Sequence, residues 1–301
     1  MIGIKPTMYV ITGPTASGKS ALAVDLARRL GTEIISADSR QIYQGIPIVT
    51  AMPTPEERAA VKHHLIDMLP LDAYYSASQF EEDALRIAED VMNRTGSVVV
   101  CGGSMMYVDA LCHGIDELPT VPDSIRQGLM EEHAEKGDAW LLDQLLDLDP
   151  EYYGKVDKKN IKRVFHAVEI IRAAGKTYTE LRTGERRSRP FEIKKYMIDM
   201  PREMLFSRIN RRVDAMVADG LEEEARRVYP QRALNSLNTV GLKEMFAMFE
   251  GTMPRDVAIE RIKKNTRVYA KKQLTWWARD REIIPLCWNV SPDAFLSTQN
   301  H

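Results

Sequence analysis

Residues 13–20 read Gly13-Pro14-Thr15-Ala16-Ser17-Gly18-Lys19-Ser20 and satisfy the pattern G-x-x-x-x-G-K-[ST] without a mismatch. Such a loop closes around phosphate oxygens. Backbone N–H groups and the positive end of a helix dipole converge on the anion, Lys19 adds a charge, and the Ser20 hydroxyl is placed to ligate Mg²⁺. A second candidate lies in Ser36-Ala37-Asp38-Ser39-Arg40-Gln41. There Asp38 is placed to act as a general base, or else to close a turn between its flanking serines. Together the two segments imply an enzyme that binds a polyphosphate or pyrophosphate and moves a proton beside it.

The elements that must position these groups alternate. Met8–Thr12 is a short apolar, β-branched run that reads as a buried strand, and Ala21, Leu22, Leu26, Ala27 and Leu30 recur at helical spacing until Gly31. Further strands are expected at Glu33–Ser36, Val98–Cys101, Tyr196–Asp199 and Ile283–Leu286. A helix is expected over 79–93, opened by a capping box at Ser78-Gln79-Phe80-Glu81. This alternation predicts an α/β fold with a P-loop NTPase-like parallel sheet, ligand at the carboxyl ends of its strands. The Asp38 strand is expected to lie beside the loop strand, bringing the carboxylate near the transferred group. Residues 116–189 hold no convincing strand and read as helices around 124–135, 139–148 and 160–174. The expected organisation is a core of 1–115 and 190–301 with an inserted all-helical subdomain at 116–189.

A formal charge of −2 over 301 residues favours no class of partner, but the charge is segregated. Residues 116–151 are strongly acidic, 155–189 strongly basic, and 261–281 basic again with Lys271 and Lys272 among them. Two basic runs suggest a polyanion larger than a nucleotide, the alternative being solvated helix faces. Three widely spaced cysteines and no C-x-x-C pair imply neither a disulfide framework nor a zinc site. A core strand near the start and no long apolar run point to a cytoplasmic protein without a membrane partner. Only about the last ten residues read as frayed.

Phosphate loops often serve nucleotide hydrolysis, which needs a strand ending in a Mg²⁺-holding acid, whereas the obvious strand here ends Val100-Cys101-Gly102-Gly103-Ser104. At this point the chain resembles the tRNA dimethylallyltransferase (tRNA isopentenyltransferase) family, bacterial type without a zinc finger. The resemblance runs over nearly the whole chain. It rests on the loop, on Ser36–Tyr43, on His63-His64-Leu65-Ile66-Asp67, and on Arg208-Ile209 with Arg212-Val213-Asp214-x-Met216. Gly220-Leu221 and Tyr269-Ala270-Lys271-Lys272-Gln273 with Thr275-Trp276 complete the ordered set.

The resemblance implies that the loop holds dimethylallyl diphosphate, with Arg208 or Arg212 assisting. The prenyl group then passes to the exocyclic amine of the tRNA adenosine just 3′ of the anticodon. It implies catalytic roles for Lys19, Ser20 and Asp38, with Mg²⁺ as cofactor. The expected tRNA contacts are Asp38, Ser39, Arg40, Gln41, Ser104, Arg126, the block Lys162, Arg163, Val164, Phe165 and His166, and Lys271 with Lys272. An anticodon stem-loop is the expected partner, and a monomer the expected state. Three departures stand out: Ser104-Met105-Met106 where the family has Thr-Gly-Leu, Leu242 in place of a tyrosine, and His166 in place of an arginine. Prenyl transfer to free AMP and an ATP-dependent small-molecule kinase are the alternatives, and intact Lys19, Ser20 and Asp38 disfavour a non-catalytic RNA-binding protein. Bland roles are expected elsewhere: hydrogen-bonding histidines at His63 and His64, anchors at Trp276 and Trp277, packing at Met105 and Met106.

Overall fold

The computed structural model describes residues 5–290, and the tail expected to fray lies outside them. By compactness the chain forms two units, one running through Cys112 and resuming at Ser188, the other spanning His113–Arg187.

The first unit begins with β1 (Thr7–Thr12), α1 (Lys19–Leu30), β2 (Ile34–Ser36), α2 (Pro47–Thr50), α3 (Pro55–Ala60) and β3 (His63–His64). It continues through α4 (Ala77–Thr95), β4 (Ser97–Cys101) and α5 (Met105–His113). The second unit holds α6 (Asp123–Leu148), α7 (Pro150–Lys155), α8 (Ile161–Ala174) and α9 (Tyr178–Leu181). The chain then re-enters the first unit with β5 (Glu192–Asp199), α10 (Arg202–Ala218), α11 (Leu221–Val228), α12 (Leu242–Phe249), α13 (Arg255–Trp277) and β6 (Ile284–Cys287).

The six strands form one parallel sheet in the order β3-β2-β4-β1-β5-β6. β1 and β4 are almost wholly buried, as strands covered by helices on both faces must be. One apolar layer includes Phe80, Ala84, Ala88 and Trp277; the other is built around Leu22, Leu26, Ala27 and Tyr196. This order corrects one expectation. β4 separates β2 from β1, so Asp38 does not reach the loop from an adjacent strand. It reaches across the end of β4, and the glycines there make the approach feasible. A Cβ on Gly102 would lie 2.1 Å from the Ala37 carbonyl oxygen, so only glycine lets the two strand ends come this close.

A second correction concerns α4. Its capping box is Ser76 with Gln79, two residues earlier than the Ser78–Glu81 box, with Ser76 Oγ accepting from Gln79 N and Gln79 Oε1 from Ser76 N. The earlier start places Tyr75 just before the cap and Phe80 four residues after it, both in the same apolar cluster, as a hydrophobic staple does. In the second unit, α6 breaks at Gly137, whose φ of 80° interrupts the helix between its two apolar stretches. Leu129, Leu141 and Leu145 pack with Val164, Ala167, Val168 and Ile171 of α8 to give this unit its own core.

Candidate functional site

The phosphate loop joins the buried end of β1 to α1. Ala16 sits at φ 64° and Gly18 at φ 101°, left-handed positions that fold the chain back on itself. Ala16 has a Cβ, so that position is strained, and Arg208 Nε braces it by donating to the Ala16 carbonyl at 2.9 Å. Gly18 is the N-cap of α1 and supplies no side chain. The first-turn N–H groups are thereby left for a ligand, the arrangement that favours an anion.

Four cations gather here against two carboxylates, Glu57 and Asp38. A mouth beside the loop is lined by Gly18, Lys19, Ser20, Arg208, Arg211 and Arg212, with Glu57 at its edge. Burial holds the Lys19 ammonium below its usual pKa; Asp38 draws it back up and Arg212 pushes it further down. The Arg212 guanidinium is lowered by burial and by Arg208, and raised by Asp38. Desolvated cations that repel one another gain from a polyanion between them. Oxygen donors of the kind Mg²⁺ takes, the exposed Ser20 hydroxyl and the Asp38 carboxylate, share the adjoining inner pocket, so the residues fit that ion. Cys101 in the same pocket is pushed up to about 11 by burial and is a neutral thiol at physiological pH.

Asp38 does both things its residue type allows. Its Oδ1 accepts from Arg40 N at 2.9 Å and Gln41 N at 3.4 Å, closing the turn. Its Oδ2 accepts no hydrogen bond among the described residues. Asp38 borders the inner pocket with Lys19, and also a second, larger cleft with Ser104, Arg212 and Val240. Ser104 braces the turn, its Oγ accepting from Ser39 N at 2.8 Å and donating to Ser39 Oγ at 3.1 Å. Arg40 donates to the carbonyls of Asn235 and Ser236 at 2.8 and 3.0 Å. Gln41 Nε2 donates to those of Thr50 and Ala51, both at 3.1 Å. Arg40 is thus spent on backbone, and Gln41 on backbone and on Ser36 Oγ, which donates to its Oε1 at 3.2 Å.

Sequence reasoning gave Gln273 no role, yet it ties the two halves of the site together. It is almost fully buried. Its Oε1 accepts from Thr15 N of the phosphate loop at 2.9 Å, and its Nε2 donates to Gly103 O at 2.9 Å. A Cβ on Gly103 would lie 2.4 Å from that Nε2, which explains the second glycine. The motif Tyr269–Gln273 contained the residue, but nothing in the spacing says that it reaches across 258 residues.

The remaining expected contacts distribute unevenly. Lys162 and Arg163 are exposed on α8, and Lys271 and Lys272 on α13, where Lys271 Nζ stands 5.5 Å over the Phe206 ring. Val164 is corrected: it is fully buried in the core of the second unit, because a helix turns every third or fourth residue of a run inward. Phe165 is half-buried with its ring 5.9 Å from His133. His166 and Arg126 both bind Glu169, at 2.8 and 2.9 Å. His64 pairs with Glu33 and His63 binds the Val61 carbonyl, as hydrogen-bonding histidines; His63 also lines the inner pocket. Trp277 is buried, Trp276 Nε1 donates to Asp109, and Met105 packs on the core, whereas Met106 is exposed rather than packed.

Comparison with known proteins follows the same lines. The sequence model of the IPP transferase family matches residues 41–280. The chain is 50% identical to tRNA dimethylallyltransferase 2 of Parabacteroides distasonis over 92% of its own length and 93% of the relative's. It is 50% identical to tRNA dimethylallyltransferase 1 of Phocaeicola vulgatus, over 92% and 93%. The solved tRNA isopentenylpyrophosphate transferase of Bacillus halodurans superposes with a TM-score of 0.71 at 33% identity, covering 98% of this chain and 94% of that one. A eukaryotic dimethylallyltransferase acting on tRNA shares the fold, with a TM-score of 0.81 at 24% identity over 98% of this chain and 77% of its own.

Proposed function

The chain belongs to the IPP transferase family, and from that premise we propose that it passes the dimethylallyl group of dimethylallyl diphosphate to the exocyclic amine of adenosine 37 in tRNA, releasing diphosphate. It is a tRNA dimethylallyltransferase, a prenyltransferase. The observation that carries the reading is the position of Asp38, which borders both the pocket holding Lys19 and the separate cleft holding Ser104.

In this reading the diphosphate lies on the loop N–H groups, Lys19, Arg208 and Arg212, and the acceptor base enters the second cleft. The C–O bond to diphosphate breaks as the new C–N bond forms, and negative charge builds on the departing group. Lys19 and Arg212 are already desolvated there, so their attraction for that charge is strong and needs no reorganisation. Mg²⁺ at the Ser20 hydroxyl would supply further countercharge to the diphosphate oxygens. The adenine amine is only weakly basic, so its proton must leave as the bond forms. Asp38 Oδ2 is the acceptor, with Oδ1 fixing the carboxylate through the turn. A base stacked in RNA must leave its stack to reach this carboxylate, which calls for cations that hold the backbone meanwhile. Exposed Lys162, Arg163, Lys271 and Lys272 supply such cations.

Labelled dimethylallyl diphosphate offered with total tRNA, and separately with AMP, tests the acceptor. Label in tRNA is the expected result, and label in AMP alone would move the chain to the free-nucleotide reading. Calorimetry in Mg²⁺ tests the donor: dimethylallyl diphosphate should bind more tightly than ATP. Micromolar ATP binding with no heat from the prenyl diphosphate would revive a kinase.

A further inference from the structure

The turn between the two pockets has no cap of its own. α2 is four residues long, and its N-cap, Ile46, makes no side-chain hydrogen bond to it. Glu224 of α11 does so from 176 residues away. Its Oε2 accepts from Ile48 N at 2.9 Å and its Oε1 from Val49 N at 2.8 Å. The side chain is completely buried. Burial pushes its carboxyl above the usual range, opposed by those two amide bonds and by Arg227. A carboxylate kept from water is costly unless its charge is met by donors, and here the donors are the backbone of this one turn.

That turn is the wall common to both pockets. Thr50 borders the inner pocket and the second cleft, Val49 borders the cleft, and Pro53 borders the inner pocket and the loop mouth. The far end of the turn is held by Gln41, which donates to Thr50 and Ala51, and Ala51 itself sits at a left-handed φ of 46°. From another side Gly241 presses on Val49, so closely that a Cβ there would lie 2.5 Å from Val49 Cγ2. Segments pinned at both ends and packed this tightly move as a unit, and the Glu224 bonds fix where the unit sits.

We propose that Glu224 is a positioning residue for group transfer: from outside the pockets, its carboxylate fixes the Pro47–Thr50 turn, and with it Thr50, between donor and acceptor. This rests on the prenyl-transfer reading above. In-line displacement needs the allylic carbon and the attacking nitrogen within about 3.5 Å, and a misplacement near 1 Å costs on the order of 10²-fold in rate. Glu224→Gln keeps the volume but turns an NH₂ toward one of two N–H donors, so one bond must be lost and the turn displaced. Binding of diphosphate on the loop and of RNA through exposed lysines does not pass through the turn.

The test is single-turnover dimethylallyl transfer to an anticodon stem-loop, with separate binding titrations and thermal melts. Wild type, Glu224→Gln and Glu224→Asp are compared; the last keeps the charge but withdraws the carboxylate from the turn by one methylene. Both variants should lose at least about tenfold in the transfer rate while the Kd values for dimethylallyl diphosphate and stem-loop stay at wild type. A folded Glu224→Gln enzyme with the wild-type rate overturns the proposal. So does a loss confined to binding, which is what a merely structural residue would show. If Glu224→Gln does not fold, Glu224→Asp decides by the same criteria. Wild-type enzyme that transfers no prenyl group overturns the functional reading and the positioning role with it, whereas active wild type with two unaffected variants overturns the positioning role alone.

Discussion

Cations in the helical unit and cations at the phosphate loop live under different conditions. In the helical unit several are matched: Arg126 with Glu169, Arg172 with Glu132, Lys155 with Glu151, Arg187 with Glu117. In the α/β unit Lys19 and Arg212 are desolvated and pushed below their usual pKa values, with Asp38 as their opposing charge. The sequence makes the helical unit look like the electrostatic centre, since its acidic run at 116–151 is followed by a basic run at 155–189. Folding tempers that impression. The acidic α6 packs on the basic α8, and part of the segregated charge cancels within the unit, Arg172 meeting Glu132 and Arg187 meeting Glu117, while Arg126 and Glu169 pair in the opposite sense. Four cations at a phosphate loop against two carboxylates, inconspicuous in a count, carry the unbalanced field. What decides a cation's role is whether folding gives it a carboxylate.

The largest effect should come from breaking the unbalanced set. Lys19→Ala removes a desolvated charge aimed at the departing diphosphate and should lower the transfer rate by roughly 10²–10³-fold. Single-turnover measurement at saturating donor checks it, and a loss restricted to donor affinity would mean that Lys19 binds ground and transition states alike. Asp38→Asn comes next. It keeps the acceptor for the turn bonds but loses the proton acceptor, so turnover should fall by roughly 10²-fold or more with diphosphate binding nearly intact. Near-wild-type single-turnover rates would confine Asp38 to the turn.

Legibility followed the same division. The loop and its flanking strand and helix are local, so a contiguous motif with correct punctuation fixed their geometry in advance; Gly31 stops α1 where expected. Asp38 was recognisable by chemistry, but not by route. Sheet order is set by pairing between distant strands, and β4 stands between β2 and β1. The braces Gln273 and Glu224 were invisible because each acts across more than 170 residues on backbone groups, which carry no residue signature. Val164 failed for a simpler reason, a helical block taken as a linear one.

The balanced unit still has exposed cations, and they sharpen the contrast. Replacing Lys162 and Arg163 by Ala should weaken stem-loop binding several-fold and reduce the slope of log affinity against log salt by about one per lost contact. The Lys271, Lys272 pair should behave likewise. Dimethylallyl diphosphate binding should not change. Filter binding across a salt series reads both quantities, and unchanged tRNA affinity in both double variants would reduce these lysines and arginine to solvated surface.

The smallest effect on RNA is expected at Arg126, the same kind of residue under the opposite condition. Its Nε lies 2.9 Å from Glu169 Oε2, and the same carboxylate takes His166 Nδ1 at 2.8 Å. Glu169 is buried, which alone would raise its pKa, but the hydrogen bonds from His166 and Arg126 outweigh burial and hold the carboxyl below its usual range. A group whose folded pKa is depressed stabilises the fold above its unfolded pKa, and that stability is lost as pH falls through the folded value. Arg126→Ala leaves Glu169 with one partner fewer, so the unfolding free energy should fall by about 1–2 kcal/mol near neutral pH and the melting temperature with it. Acidification should narrow the gap to wild type, because protonating Glu169 removes the charge that Arg126 served. The salt slope of stem-loop binding should stay at the wild-type value, since a cation already neutralised by a buried carboxylate releases few counterions on meeting a phosphate. A flattened slope with an unchanged melt would show the reverse: that Arg126 leaves Glu169 for the RNA, and that pairing within the helical unit does not decide which of its cations are spent.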